Sequence, residues 1–164
     1  MELYFSDRFF SSGVTGIMNA AGEAAGTLDL ESMMTYSVSV YGPDSAFRYA
    51  GKFRFFSNKW EVLDESGFEV GLLHTRFSLF SKRYEYDAGS RGLYTIESPA
   101  FSHDYSILDG HESEVASFQK VSGWLQAGAF QLRNHSPQLN SYELVAVIMG
   151  VHSIQKRQNS AAAT

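Results

Sequence analysis

The chain has 164 residues, a formal net charge of −5 and a pI near 5.5. That length allows one domain with a sizeable core. The acidic balance argues against a general nucleic-acid binder, which needs a basic field to neutralise phosphates, and the lack of cysteine excludes disulfide and thiolate-metal frameworks.

Taken in chain order, MELYFSDRFF (1–10) is acidic and mixed. It has neither the basic start nor the apolar stretch of a secretory signal, so a cytoplasmic chain is expected. VTGIMNA (14–20) and AGTLDLE (25–31) flank a turn at AGE and read as strands. MTYSVSVYG (34–42) alternates Tyr36, Val38 and Val40 against Ser37, Ser39 and Tyr41, the period of a strand. GPDS (42–45) is a type I turn signal with Pro43 at the second position. AFRYAGKFRFF (46–56) then returns.

An internal repeat follows. FRFFSNKWEV (53–62) matches FSLFSKRYEY (77–86) at a shift of 24 residues, pairing Phe53 with Phe77, Phe56 with Phe80, Lys59 with Arg83 and Trp60 with Tyr84. A degenerate third copy starts at Phe101. Periods of this size mark one supersecondary unit used several times. Each unit reads as a β-hairpin: KWEVLD, turn DESG, FEVGLLH; KRYEYD, turn AGSRG, LYTIES; DYSILD, turn GHES, EVASFQK. Gly67 suits the positive φ that such a turn needs. GAFQLRN (128–134) is one more strand, and NHSPQLNS (134–141) a polar loop.

The last element is YELVAVIMGVHSIQKR (142–157). Asn140 or Ser141 can cap it, with Glu143 in its first turn. Leu144, Val145, Val147, Ile148, Val151 and Ile154 leave it almost no polar face, yet it is too short for a membrane span of roughly 20 apolar residues. About twelve antiparallel strands must close to hide their edges. A barrel that wide needs a filling, and this helix fits. The expected fold is therefore mainly β: a closed antiparallel barrel of about twelve strands around a central hydrophobic C-terminal helix. It spans 1–157 as a single domain, with 158–164 as a disordered tail. The basic end, Gln155 to Arg157, is expected at the barrel mouth.

Repeated strand pairs such as FFSNKWEVLD…EVG and AFSHDYSILD…EVASFQK, ending in one apolar helix, resemble the Tubby C-terminal-like superfamily. The likeness is nearest to small single-domain members of the LURP-one-related and phospholipid-scramblase-like kind. It implies a twelve-stranded barrel around a hydrophobic helix, and recognition of phosphorylated lipid headgroups on the outer wall. The Tubby lipid-binding motif has no residue-by-residue counterpart here, so no site residue is carried over from it. The chain lacks the Cys-rich and Pro-rich segments of scramblases, which argues against scrambling.

The residues themselves favour a non-enzymatic binding module. No nucleophile elbow accompanies the five histidines His74, His103, His111, His135 and His152. His103 and Asp104 are chain neighbours, which point to opposite faces on a strand. Asp109, Glu112 and Glu114 read as a solvated acidic turn, not a metal site. No catalytic residue, metal or cofactor is assigned. His152 reads as a neutral, hydrogen-bonded histidine in the core or at the barrel mouth. Lys52, Arg54, Lys59, Lys82 and Arg83 form the candidate ligand site, because cations gathered at one end of the sheet suit a phosphate or lipid headgroup. An anionic membrane surface, met peripherally, is the expected partner. The alternatives are a protein–protein interaction module, whose signature is exposed aromatics on the outer sheet, and, ranked last, a hydrolase.

Overall fold

The structure is a computed structural model that describes residues 1–31, 37–99, 102–122 and 128–163. Tyr36 and Phe101, both used in the strand and repeat readings, lie outside the described residues, as does Thr164.

Twelve strands precede one helix: β1 (Glu2–Phe5), β2 (Gly13–Met18), β3 (Ala24–Leu30), β4 (Ser37–Tyr41), β5 (Phe47–Phe53), β6 (Trp60–Leu63), β7 (Glu69–Arg76), β8 (Lys82–Asp87), β9 (Leu93–Ser98), β10 (Tyr105–Leu108), β11 (Glu114–Lys120), β12 (Phe130–Asn134) and α1 (Ser141–Ala162). Each strand pairs antiparallel with the next, and β1 pairs with β12 to close the barrel. Closure leaves no edge to cover. β1 is the strand that sequence periodicity does not reveal. It has four residues, and Leu3, Tyr4 and Phe5 are all buried, so it shows no alternation. The first ammonium group fixes it, donating to the Asn134 carbonyl at 2.9 Å, and Arg133 pairs with Glu2 at 3.2 Å.

The two ends of the barrel differ. At one end, five tight turns join β2–β3, β4–β5, β6–β7, β8–β9 and β10–β11. A side-chain oxygen organises most of them. Asn19 Oδ1 accepts from the Ala21 and Glu23 N–H groups, Asp64 Oδ1 from Ser66 and Phe68, and Asp109 Oδ1 from His111 and Ser113. These N–H bonds hold the Asp109 carboxyl below the usual range. Gly67 takes φ 79° in its turn, as its position requires. The opposite end carries the other connections, most of them longer, and we call it the long-loop end.

α1 runs through the interior from the tight-turn end to the long-loop end. Asn140 is its N-cap, and a capping box with Glu143 completes the first turn. Every residue from Glu143 to Val151 is buried, on all faces of the helix. α1 packs against β4, β5, β6, β7 and β12. Glycine sets the approach on the β5–β6 side. A Cβ on Gly51 would meet the Trp60 ring at 2.6 Å, and one on Gly150 would meet it at 2.4 Å. Trp60 Nε1 also donates to the Ala146 carbonyl at 3.1 Å. Elsewhere large aromatics fill the interior, including Phe5, Phe9, Tyr84, Tyr86, Tyr105 and Phe118. The ring pairs Phe5–Phe9 and Phe9–Phe118 lie 4.7 and 5.0 Å apart between centroids.

Residues 158–162, expected in a disordered tail, instead continue α1 to Ala162. Alanine is the best helix former, and Gln158 Nε2 reaches Thr75 Oγ1 at 3.1 Å. The helix is about 33 Å long at 1.5 Å per residue, so its exposed last turns project past the barrel.

Two substitutions test the plug. Ile148→Asp puts a carboxylate where no water reaches, and the variant is expected to yield no soluble folded protein. Gly150→Ala adds helix propensity of about 1 kcal/mol but overpacks Trp60 at about 1–3 kcal/mol. Its thermal midpoint should therefore fall. A midpoint at or above the parent's would show that the helix does not press on Trp60.

Candidate functional site

The five cations singled out in the sequence all lie toward the long-loop end, on two stretches of wall. Lys52 lies near the end of β5 and Arg54 just past it, Lys59 precedes β6, and Lys82 and Arg83 begin β8. Carboxylates meet three of them. Lys52 Nζ lies 3.5 Å from Glu61, its cross-strand register partner. Arg54 pairs with Glu61 at 3.6 Å and, more closely, with Glu69. Arg83 pairs with Glu97 at 2.6 Å, again across the register. Exposed pairs of this kind contribute about 0–1 kcal/mol each and neutralise the wall. Lys59 and Lys82 make no ion pair among the described residues.

The loops beside these cations hold what the sequence reading missed. In the β5–β6 loop Phe55 and Phe56 are 85% and 96% exposed; in the β7–β8 loop Phe77, Leu79 and Phe80 are 86%, 75% and 92% exposed. β6 and β7 are adjacent, so the loops stand roughly 10 Å apart at about 4.8 Å per strand. The repeat was the available signal, since it places Phe55–Phe56 and Leu79–Phe80 at equivalent positions. Beneath the first loop, the Arg157 guanidinium of α1 lies 3.4 Å over the Phe53 ring and donates to the Ser57 carbonyl at 3.1 Å. The helix thus braces the loop from inside.

A second feature of this end is a cleft of about 600 Å³ between the last turns of α1 and the barrel rim. His152 and Gln155 line it, facing Lys82, Ser102 and His103. The His152 ring stacks on Phe10 at 4.3 Å, and His103 lies 5.2 Å from the same ring. Burial, then the nearby His103 and Lys156, hold the His152 imidazole down at about 4. Its Nδ1 is buried without a hydrogen-bond partner, so the bonded histidine expected from the sequence is a stacked one instead. Asp104 accepts the Lys120 N–H at 3.0 Å, and among the described residues no group of three or more potential metal ligands forms.

The tight-turn end holds the one buried carboxylate pair described in the interior. Glu143, fully buried, takes both Arg91 guanidinium nitrogens at 2.7 and 2.8 Å and the Tyr86 hydroxyl at 2.6 Å. Burial and the Glu143 charge push the Tyr86 phenol up; hydrogen bonding to Glu143 raises Arg91. Arg91 also donates to the Val70 carbonyl at 2.6 Å. Each of these groups is matched, which suits a pin that holds the helix N-terminus better than a reaction centre.

No family profile matches the chain, and no curated protein matches it. Among solved structures, the X-ray structure of protein AT5G01750 from Arabidopsis thaliana is similar. The match has a TM-score of 0.60 and 8% identity, covering 94% of this chain and 90% of that one. At that identity the likeness supports the barrel fold alone.

Two measurements follow. Arg91→Ala should destabilise the fold by about 3–5 kcal/mol, because it strands a buried charge; urea midpoints read this. His152 is held neutral in the fold, so its contribution is present above pH 6.5 and is lost as pH falls toward 4. Up to about 3 kcal/mol should disappear over that window. His152→Phe should flatten the slope, and an unchanged slope would place the acid sensitivity elsewhere.

Proposed function

We propose that the protein is a non-enzymatic, Tubby-like binding module that docks its long-loop end on an anionic membrane surface, in the cytoplasm and peripherally. The observation that carries this reading is the pair of aromatic loops, Phe55–Phe56 and Phe77–Phe80, exposed beside Lys59 and Lys82. Monomeric proteins rarely leave such contiguous apolar area in water. Apolar tips with cations behind them match a bilayer, whose acyl boundary lies under anionic headgroups. Among the described residues no helix is long and apolar enough to cross a membrane, and this mode needs none.

Magnitudes indicate which term leads. Each fully buried Phe or Leu contributes about 1.5–3 kcal/mol, so five half-immersed side chains supply on the order of 5 kcal/mol. Each lysine near an anionic surface adds about 1 kcal/mol. The ion-paired Lys52, Arg54 and Arg83 add less than free cations would. Binding should then be mainly apolar and only partly salt-sensitive.

Sedimentation with phosphatidylcholine–phosphatidylserine vesicles checks this. Phe56→Ser/Phe80→Ser should lower partitioning by at least roughly tenfold with an unchanged thermal midpoint. Lys59→Glu/Lys82→Glu should weaken it less, and salt should erase that difference. Parent protein that stays in the supernatant would overturn the membrane reading and leave the patch to a protein partner.

A further inference from the structure

The last turns of α1 reach both aromatic loops through two consecutive residues. Arg157 addresses the β5–β6 loop. Its guanidinium covers the Phe53 ring at 3.4 Å, and Nη1 donates to the Ser57 carbonyl at 3.1 Å and to Asn58 Oδ1 at 3.4 Å. Gln158 addresses the other loop, donating from Nε2 to Thr75 Oγ1 at 3.1 Å. Thr75 lies two residues before Phe77, where β7 gives way to the β7–β8 loop. Successive helix residues diverge by about 100°, which lets one turn hold two stretches of wall. Both side chains lie outside the core: Arg157 is half-buried and Gln158 exposed.

The first loop needs holding. Phe56 takes φ 51°, in the left-handed region that a phenylalanine rarely adopts. Phe56 is also almost fully exposed, so burial does not keep it there. The turn is tied locally, by the Ser57 N–H on the Arg54 carbonyl at 3.1 Å and the Lys59 N–H on Ser57 Oγ at 3.0 Å. Arg157 then fixes the Ser57 carbonyl from the helix side. In the second loop the Ser78 and Ser81 hydroxyls lie 3.2 Å apart, and Gln158 anchors the root. Side chains that must be ordered on binding cost affinity, and side chains already ordered do not. We infer that Arg157 and Gln158 are positioning residues for docking: they hold the two aromatic loops in a fixed relation, so that the loops enter the bilayer as one preformed surface. This role rests on the membrane reading above.

Limited chymotryptic digestion reads the brace without a membrane, because cleavage after Phe56 or Phe80 requires the loop to open. Arg157→Lys keeps the charge and loses the planar fork. It should speed cleavage at 55–56 by roughly three- to tenfold and leave 77–80 unchanged. Gln158→Ala, which removes no charge, should do the reverse by a smaller factor. On phosphatidylcholine–phosphatidylserine vesicles Arg157→Lys should lower partitioning at an unchanged thermal midpoint. That deficit should persist in high salt, since no charge is lost. Parent protein absent from the pellet contradicts docking itself. Parent protein that sediments, with both variants matching it, overturns the positioning role alone. A loss that tracks a fallen midpoint, or cleavage that rises equally in both loops, would make Arg157 a fold residue and overturn that role too.

Discussion

A helix with no polar face needs an apolar solvent on every side, and here the barrel provides it. The segment from Leu144 to Val151 is buried throughout. Twelve strands enclose more space than their own side chains would fill, and one helix occupies it. Neither part is stable alone: the helix would expose its whole apolar surface, and the barrel would hold a void. Packing resolves the fit unequally around the helix. Near β5 and β6, Gly51 and Gly150 let Trp60 sit close to the helix backbone. Elsewhere tyrosine and phenylalanine rings take up the distance.

This constraint decides where recognition can occur. α1 and the aromatic rings fill the interior, and Glu143, Arg91 and Tyr86 are spent on one another there. Chemistry is pushed to the ends. The tight-turn end is closed by side chains capping their own turns. The long-loop end has the exposed Phe55, Phe56, Phe77 and Phe80, against Phe68 at the tight-turn end, and there the helix emerges with its late polar residues. Arg157 braces a loop under Phe55 and Phe56, while Gln155 and His152 line the neighbouring cleft. One helix therefore serves as core for the barrel and as wall for the rim.

Much of this was legible in the sequence. KRYEYD, LYTIES and EVASFQK alternate cleanly, and the strands match them residue for residue. The 24-residue repeat exposed the hairpin unit, and the all-round apolar helix required closure. β1 was hidden because three consecutive buried residues show no period. The end of α1 was hidden because QNSAA looks like tail when helix propensity is weighed without its neighbours. For the candidate site, the cations were found but their carboxylate partners were not: Glu97 meets Arg83 through strand register, and Glu69 meets Arg54 because that side chain reaches across β6 to β7. The repeat aligned the phenylalanines without saying where they point; their place in loops, off the strand alternation, sends Phe55, Phe56, Phe77 and Phe80 outward.

Depth measurement on a membrane tests docking by the long-loop end most directly. The chain has no cysteine, so single cysteines can be spin-labelled at position 56, on the aromatic loop, and at position 67, in a tight turn at the other end. On anionic vesicles the label at 56 should become accessible to oxygen and shielded from a water-soluble nickel complex, while the label at 67 stays in water. Equal depth for both labels, or a label at 56 that remains fully aqueous on bound protein, would contradict docking by that end.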